Sequence, residues 1–414
     1  MRAVLDAILK RFITHGRLSV RYPDGVLVNY TGTVDGPGAG LEIRTARTLR
    51  RLVTDPALAV GEAYMDGTFV PLGATIGDVL DVLLHNAVAG GTHPGAAVRG
   101  TLRRVVRRWA QHNTSHRARR NVAHHYDLDD RLYELFLDRD WQYSCAYFPT
   151  GTETLDEAQA AKKRHIAAKL LLDRPGLRVL DIGCGWGGTA LTLARDHGAR
   201  VVGITLSTEQ LTRARARAST AGLADRVRFE LMDYRDPTLT GPFDRIVSIG
   251  MFEHVGINHY DAFFRRVHGL LAPDGVVLVH AIGRSGGPRT TNPWLARYIF
   301  PGGYSPALSE VFPAVERSGL IATDLEVLRL HYAETLRHWR RRFTARRAEA
   351  EALFDERFCR MFELYLAGSE LAFRRLDHMV WQLQLTRANT AVPLTRDYIG
   401  ASAPIVQPVR ENAD

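Results

Sequence analysis

The chain has 414 residues, of which 45% are hydrophobic, 24% charged and 9% aromatic. This composition excludes a collagen-like chain, a coiled coil and a wholly disordered protein, and the length allows two or three domains. Lysine and arginine number 54 against 45 acidic residues, and only four of the 54 are lysine. The net charge of +9 is compatible with nucleic acid, anionic lipid or an acidic metabolite, so charge alone identifies no partner.

The cysteines and the hydropathy pattern restrict the cellular setting. Cys145, Cys184 and Cys359 lie far apart, which argues against a structural zinc site and against a disulfide framework. No run approaches the roughly 20 apolar residues of a membrane span, and the first residues lack the apolar core of a signal peptide. A cytoplasmic location fits best, no bound metal is expected, and any membrane contact is expected to be peripheral.

Residues 1–97 predict a small α+β domain, and residues 98–120 predict a linker. In the first region short strand-like runs alternate with helical patterns, and the Gly/Pro-rich segment 35–40 predicts a turn between two strands. The linker carries eight arginines, and its segment 102–109 has the apolar spacing of an amphipathic helix. Two interpretations of that helix stay open: a solvated connection between domains, or an element that faces phospholipid.

From about residue 158 to 282 helical patterns alternate with apolar strand-like runs. This alternation is typical of an α/β fold with a mostly parallel, doubly wound sheet. Beyond residue 305 we predict helices, one weaker strand-like run at 323–330 and a long helical region at 332–389. Residues 121–414 are therefore predicted to form an α/β domain with additional C-terminal helices.

A glycine-rich turn connects the first predicted strand of this domain to a helix. The four glycines within 183–188 let the backbone turn tightly beneath a ligand at the carboxyl end of the strand. Their spacing is tighter than the dinucleotide pattern G-x-G-x-x-G and is typical of S-adenosylmethionine enzymes. We therefore predict a cofactor site that includes Asp181, Gly183, Cys184, Gly185, Trp186 and Gly187.

The next two strands end in residues that suit a nucleoside. An acid that would bind a ribose is absent from the tip of the second strand, where Thr205 and Gln210 offer neutral hydrogen bonds instead. After the third strand, Asp233 and Tyr234 stand where the edge and face of an adenine would be bound in such a fold. For Asp233, structural capping remains an alternative.

Eight further motifs stand in a fixed order along the chain: GEAYMDG at 61–67, HYDL at 125–128, YELFL at 133–137, YSCAYF at 143–148, GITLS at 203–207, MFEHVG at 251–256, HAIG at 280–283 and IFPGG at 299–303. With the glycine-rich turn, they make the chain resemble the cyclopropane fatty acid synthase family, which includes the mycolic acid cyclopropane synthases and related fatty-acyl C-methyltransferases. The resemblance implies a Rossmann-like class I methyltransferase fold. It also implies S-adenosylmethionine as methyl donor and a phospholipid-bound unsaturated acyl chain as acceptor.

The same resemblance implies partners. We expect a lipid-associated N-terminal domain, a homodimer, and peripheral contact with an anionic phospholipid bilayer at the inner face of the cell membrane. Six arginines within 337–347 are either a solvated helix face or part of that contact.

Individual residues also receive roles from the resemblance. Those expected at the cofactor, from its methionine part through the ribose to the adenine, are Tyr143, Ser144, Thr205, Leu206, Gln210, Tyr234 and Arg235. A bicarbonate ion would lie beside the transferred methyl group. Its ligands would be Cys145, Glu253, His280, Tyr332 and the backbone of Ile282.

The chemistry of an alkene explains why such residues are needed. An isolated double bond is a weak nucleophile, so the sulfonium methyl must be aligned with it in a dry pocket. Attack leaves a carbocation, and ring closure then requires a base, which a carbonate oriented by His280 and Tyr332 and steered by Glu253 can supply. Structural alternatives stay open: a turn cap for Glu253, a small buried side chain for Cys145 and a core histidine for His280.

One position departs from the family. Many relatives carry a cysteine in the late helix where this chain has Ser369. Because alkene methylation needs no nucleophile from the enzyme, we expect the serine to be compatible with activity. Thiol reagents, if they inhibit, are expected to act through Cys145.

The competing hypotheses differ either in the product of the methyl transfer or in the class of function. The leading hypothesis is a cyclopropane ring, and the closest alternative ends the same methyl transfer in a methyl-branched or methylene fatty acid. Nucleic-acid methylation is disfavoured because the chain has no RNA-binding signature and carries Glu253 in place of an Asn-Pro-Pro-aromatic pattern. The intact glycine-rich turn, Glu253 and His280 disfavour a non-catalytic lipid-binding protein.

Overall fold

The computed structural model describes residues 1–90 and 130–400. The predicted linker at 98–120 with its amphipathic helix, the motif at 125–128 and the last fourteen residues lie outside the described residues. Among the helices that the structure describes, none is long and apolar enough to cross a membrane.

The first 90 residues form a four-stranded sheet covered by helices. The strands are β1 (His15–Arg21), β2 (Leu27–Thr31), β3 (Val34–Ile43) and β4 (Phe69–Pro71), and the helices are α1 (Arg2–Phe12), α2 (Ala46–Thr54), α3 (Pro56–Met65) and α4 (Ile76–Val88). The strand order is β2-β1-β3-β4, with β1 and β3 parallel and the outer pairs antiparallel. An α+β region is thus confirmed, whereas its boundary at residue 97 stays a prediction.

The predicted turn at 35–40 is wrong. These residues lie inside β3, which pairs with β1 in the parallel register Arg17↔Gly38 to Arg21↔Glu42. The glycines permit close backbone approach, since a β-carbon on Gly40 would lie 2.5 Å from the carbonyl oxygen of Leu72. The strand needs glycine because neighbouring backbone lies close to it, and this glycine content made the sequence resemble a turn.

The second sheet has seven strands in the order β10-β11-β9-β8-β5-β6-β7. They are β5 (Arg178–Ile182), β6 (Arg200–Thr205), β7 (Val227–Leu231), β8 (Phe243–Ile249), β9 (Leu271–Arg284), β10 (Ile321–Leu328) and β11 (His378–Thr386). Strands β5 to β9 pair in parallel, and β11 runs antiparallel to both β9 and β10. The predicted doubly wound, mostly parallel α/β fold is confirmed.

Helices connect and cover these strands. They are α5 (Asp130–Phe136), α6 (Leu155–Lys169), α7 (Gly188–His197), α8 (Thr208–Thr220), α9 (Tyr260–Leu270), α10 (Pro293–Tyr298), α11 (Leu308–Ser318), α12 (His331–Ala345), α13 (Arg347–Leu353), α14 (Glu356–Arg375) and α15 (Asp397–Gly400). Helix α6 begins at a capping box in which Thr154 and Glu157 exchange side-chain to backbone hydrogen bonds. The start of this helix is therefore fixed, and with it the direction of its side chains.

The predicted helical region at 332–389 is wrong at its C-terminal end. Helix α14 ends at Arg375, and residues 378–386 form β11, which lies between β9 and β10. Every residue of β11 after His378 is buried. A strand that is buried on both faces loses the alternation by which a strand is recognised in sequence.

The basic cluster at 337–347 packs against acidic residues of the C-terminal helices and of α6. Arg340 lies 3.0 Å from Glu370, and Arg342 lies 2.8 Å from Asp156. Arg347 pairs with Glu363 of α14, whereas Arg337 and Arg346 each pair with a glutamate three residues away along the chain. These contacts form an ion-pair network between helices and differ from a free cationic face.

A buried leucine in β11 and an exposed leucine beyond it together test the burial of this strand. Leu383 in β11 is fully buried, whereas Leu394 is fully exposed. We expect Leu383→Ala to lower the free energy of unfolding by about 2–5 kcal/mol because it leaves a cavity in the core. The matched control Leu394→Ala should change it by no more than about 0.5 kcal/mol. Urea denaturation followed by tryptophan fluorescence measures both, and equal midpoints would contradict the assignment of β11 to the sheet.

Candidate active site

Two cavities meet at the carboxyl edge of the seven-stranded sheet. The first lies over the ends of β5, β6 and β8. The second has a volume of about 570 Å³ and is enclosed by β9, the C-terminal helices and helices α3 and α4 of the N-terminal region. Tyr143, Ser144, Gly250 and His254 line both cavities, so the two cavities adjoin at these residues.

The first cavity collects nearly all of the predicted cofactor residues. Those that line it are Tyr143, Ser144, Asp181, Gly183, Cys184, Gly185, Trp186, Thr205, Leu206, Gln210, Asp233, Tyr234 and Arg235. Gly187 does not line it: with φ +82° it is the N-cap residue that precedes α7, and a β-carbon there would lie 2.5 Å from the ring of Phe229. At Gly185, with φ +55°, no atom lies within 4 Å of the position of a β-carbon, which leaves room for a ligand against the backbone.

Asp181 provides a buried carboxylate at the end of β5. It is 2% exposed, and its Oδ2 has no hydrogen-bond partner among the described residues. Burial raises the pKa of Asp181 to about 7, because the charged form loses its hydration. A ligand ammonium group, such as that of S-adenosylmethionine, would both neutralise this carboxylate and donate a hydrogen bond to its unpaired oxygen.

The predicted ribose and adenine residues are held by short local hydrogen bonds. Thr205 Oγ1 donates to Gln210 Oε1 at 2.9 Å, which fixes both side chains at the end of β6. The Arg235 guanidinium donates to both carboxylate oxygens of Asp233 at 2.8 and 2.7 Å. Asp233 thus has the structural contacts of the capping alternative while it also lines the cavity, and the buried hydroxyl of Tyr234 has no partner among the described residues.

Helix α6 holds the segment 142–144 against the first cavity. Gln159 Nε2 donates to the carbonyl oxygens of Gln142 and Ser144 at 3.2 and 2.9 Å. Lys162 Nζ donates to Gln142 Oε1 at 2.6 Å and to Ser144 Oγ at 2.9 Å. Sequence reasoning missed Gln142 and both helix residues, although two polar residues three apart on one helix face were a usable signal.

The second cavity brings together the five predicted bicarbonate ligands, Cys145, Glu253, His280, Ile282 and Tyr332. Glu253 Oε1 accepts a hydrogen bond from the backbone N–H of Ile282 at 2.6 Å, and Oε2 has no partner among the described residues. Burial raises the pKa of Glu253 to about 7. One carboxyl oxygen is thus bonded to β9 and the other is buried without a partner among the described residues, whereas a turn cap would bond within its own turn.

His280 and Cys145 are uncharged in this cavity. Burial and nearby cations lower the pKa of His280 to about 3, and Gln382 Nε2 donates to its Nδ1 at 3.1 Å. Gln382 lies on β11 and was missed because that segment was predicted to be helical. Burial raises the pKa of the Cys145 thiol well above its usual range, so it stays protonated. Ser369 also lines the cavity.

Apolar side chains from both ends of the chain form most of the remaining wall. Helices α3 and α4 contribute Val60, Leu80, Leu83 and Leu84, and helix α14 contributes Leu364 and Phe373. Polar and cationic residues occupy another part of the lining, among them Arg284, Arg289, Thr290 and Thr291. Such a cavity suits a long apolar chain that carries a polar head.

Comparisons with known proteins agree with this arrangement. Residues 113–383 match the family described as mycolic acid cyclopropane synthetase, and residues 4–89 match a domain of unknown function. The chain belongs to the mycolic acid cyclopropane synthetase family. It is an S-adenosylmethionine-dependent methyltransferase that transfers a one-carbon unit to unsaturated acyl chains.

Three similar proteins illustrate the relationship. The chain is 36% identical to the cyclopropane-fatty-acyl-phospholipid synthase of Escherichia coli K12, over 88% of this chain and 90% of that protein. It is 38% identical to the tuberculostearic acid methyltransferase UfaA1 of Mycobacterium tuberculosis, over 92% and 91%. The crystal structure of the mycolic acid cyclopropane synthase CmaA1 complexed with SAH and CTAB superposes with a TM-score of 0.60 at 36% identity, over 64% of this chain and 97% of that one.

Asp181 allows a test of cofactor binding that does not depend on turnover. Asp181→Asn keeps the shape and removes the charge, so the affinity for S-adenosylmethionine should fall roughly tenfold or more. In the wild type, affinity should rise between about pH 6 and about pH 8, because the carboxylate forms as the pH passes its pKa. Isothermal titration calorimetry measures both effects.

A surface variant serves as the control for Asp181. Asp196 lies at the end of α7 and pairs with Arg195 at 2.6 Å. Asp196→Asn should keep both the affinity and its pH dependence. If Asp181→Asn retained the wild-type pH dependence, another group would be responsible for it.

Proposed function

We propose that this enzyme forms a cyclopropane ring at the cis double bond of a phospholipid-bound acyl chain, with bicarbonate as the proton acceptor. The observation that carries the proposal is the buried carboxyl oxygen of Glu253 that has no partner among the described residues, on a side chain that lines the same cavity as Cys145, His280 and Tyr332. A buried carboxyl group with a pKa near 7 suits proton exchange at neutral pH. The cavity borders the cofactor cavity, as the reaction requires.

The residues of the second cavity would bind and orient bicarbonate and exclude water from it. S-adenosylmethionine, when bound, supplies an electrophilic methyl group. Glu253 is held by Ile282 N–H and can accept a hydrogen bond from bicarbonate at its open oxygen. His280 receives a hydrogen bond at Nδ1 from Gln382, which leaves its proton on Nε2 for donation to a carbonate oxygen. The neutral state of His280 avoids a second cation beside a developing carbocation.

A phospholipid acceptor is supported by the shape and lining of the second cavity. Its apolar wall can take an acyl chain, while Arg289, whose side chain is 60% exposed, can meet a phosphate. Two exposed apolar residues lie on the helices that form this wall or directly after them: Val88 on α4 and Leu376 after α14. These features support docking on an anionic bilayer. A homodimer, a cytoplasmic location and peripheral contact with the inner membrane face stay predictions.

A second product is favoured by one comparison. The similarity to a protein named tuberculostearic acid methyltransferase extends over 92% of this chain. The same methyl transfer can therefore end in a methylene or a methyl-branched unsaturated fatty acid, since the outcome depends on which proton leaves the cation. A saturated methyl branch would in addition require a hydride donor.

Product analysis separates these outcomes. We expect purified protein, incubated with isotope-labelled S-adenosylmethionine and monounsaturated phospholipid vesicles, to place the label in a cyclopropane ring. Mass spectrometry of the fatty acid methyl esters identifies the product. A labelled methyl branch would establish the alternative, label in free fatty acid alone would refute the phospholipid substrate, and unlabelled lipid would refute both.

Glu253 tests how the base is held. Glu253→Gln should reduce turnover by roughly 10²–10⁴-fold, because an NH2 group replaces the oxygen that would accept a hydrogen bond from bicarbonate, the proposed base. Its affinity for S-adenosylmethionine, measured by calorimetry, should stay close to that of the wild type. Removal of bicarbonate from the buffer should slow the wild type, and added bicarbonate should restore the rate. A wild-type rate independent of bicarbonate would refute its role.

Salt dependence tests the bilayer contact. Activity on anionic vesicles should fall as NaCl rises from about 0.05 to about 0.5 M, because screening weakens the attraction of the basic surface. Vesicles of zwitterionic lipid provide the control and should show little salt dependence. Equal salt responses on both vesicle types would count against electrostatic docking.

A further inference from the structure

Lys162 is a buried cation without an acidic partner at contact distance. It lies on α6 and is 0% exposed. Its ammonium donates only to the neutral oxygens Gln142 Oε1 and Ser144 Oγ, at 2.6 and 2.9 Å. Among the described residues, no carboxylate oxygen lies within 4.0 Å of Nζ. Because a buried charge is costly when unpaired, this position calls for an explanation.

The charge state of Lys162 is set by opposing effects. Burial lowers the pKa of Lys162 to about 8, while Asp138 and Asp140 act to raise it. The group is therefore largely protonated at neutral pH. The same ammonium opposes the rise in the pKa of Asp181, so the two groups interact electrostatically.

Lys162 lies behind the wall of the first cavity, and the described residues of that wall offer an anionic ligand group little positive charge. Of the described residues that line it, Arg235 alone is a lysine or arginine, and it is bonded to Asp233. S-adenosylmethionine carries a carboxylate a few bonds from its sulfur. That sulfur must lie near the boundary of the two cavities, where Ser144 stands in front of Lys162.

We propose that Lys162 is a positioning residue that orients the cofactor by attracting the carboxylate of its methionine part through Ser144 and Gln142. Asp181, with its open oxygen, supplies the opposite charge in the same cavity for the ammonium group. Two opposite charges orient a zwitterion in one direction, which turns the sulfur toward the acyl cavity. This role is independent of the acyl substrate and of bicarbonate.

The test compares two ligands that differ only in the carboxylate. S-adenosylhomocysteine and its decarboxylated analogue are titrated calorimetrically into the wild type and into Lys162→Met. The wild type should bind S-adenosylhomocysteine roughly tenfold or more tightly than the analogue, the size expected for a charge-assisted contact. In Lys162→Met this ratio should fall to about one.

A matched variant separates orientation from mere support of the loop. Gln159 lies on the same helix, is 1% exposed and holds the same segment through two hydrogen bonds, without a charge. Gln159→Met should weaken both ligands alike and keep the ratio. Lys162→Gln provides a second uncharged variant in case the methionine variant fails to fold.

Two results would overturn the proposal. One is a wild type that binds both ligands within about twofold, because no carboxylate recognition would then exist. The other is a folded Lys162→Met or Lys162→Gln that keeps the wild-type ratio. A loss of affinity that is equal for both ligands in the lysine variants would reduce Lys162 to a structural support.

Discussion

Parallel pairing of β5, β6, β7 and β8 places their carboxyl ends at one edge of the sheet, and the chemistry of this protein is assembled from the turns that leave that edge. The glycine-rich turn follows β5, Thr205 ends β6, Asp233 follows β7 and Glu253 follows β8. These residues are separated in sequence and share one side of the fold because the strands run in one direction. The parallel direction of these strands therefore determines where the site lies in the fold.

Burial then decides what these side chains can do. Asp181 and Glu253 each have a carboxyl group with one open oxygen and a pKa of about 7, and His280 is held neutral. Desolvation is the largest cause of each shift. A dry site strengthens interactions with a cationic cofactor and with an ionic base, and it excludes water from a carbocation. Lys162 is likewise a buried ionisable group, and it lies behind the segment 142–144 that lines the site.

The N-terminal region completes the acyl cavity by direct packing. Gly61 on α3 contacts the indole of Trp294 so closely that a β-carbon would lie 2.3 Å from it, and Trp294 Nε1 donates to Met65 Sδ at 3.2 Å. Helix α4 packs on α14, with Leu80 Cδ1 3.7 Å from the position of a β-carbon on Gly368. Residues from both ends of the chain therefore form one wall, which makes the first 90 residues part of the site.

The sequence by itself determined the α/β class, the glycine-rich turn and the residues that follow each parallel strand. These features depend on local periodicity and on the alternation of helices and strands, both of which can be recognised along the chain. Its local pattern predicts a helix at 188–197 and strands at 200–205 and 243–249, and these are the bounds of α7, β6 and β8. Only the tertiary structure decided that 378–386 is a strand, because burial on both faces hides its period. It alone placed Gln382 beside His280 and Lys162 beside Ser144, because those contacts join elements that no local pattern connects.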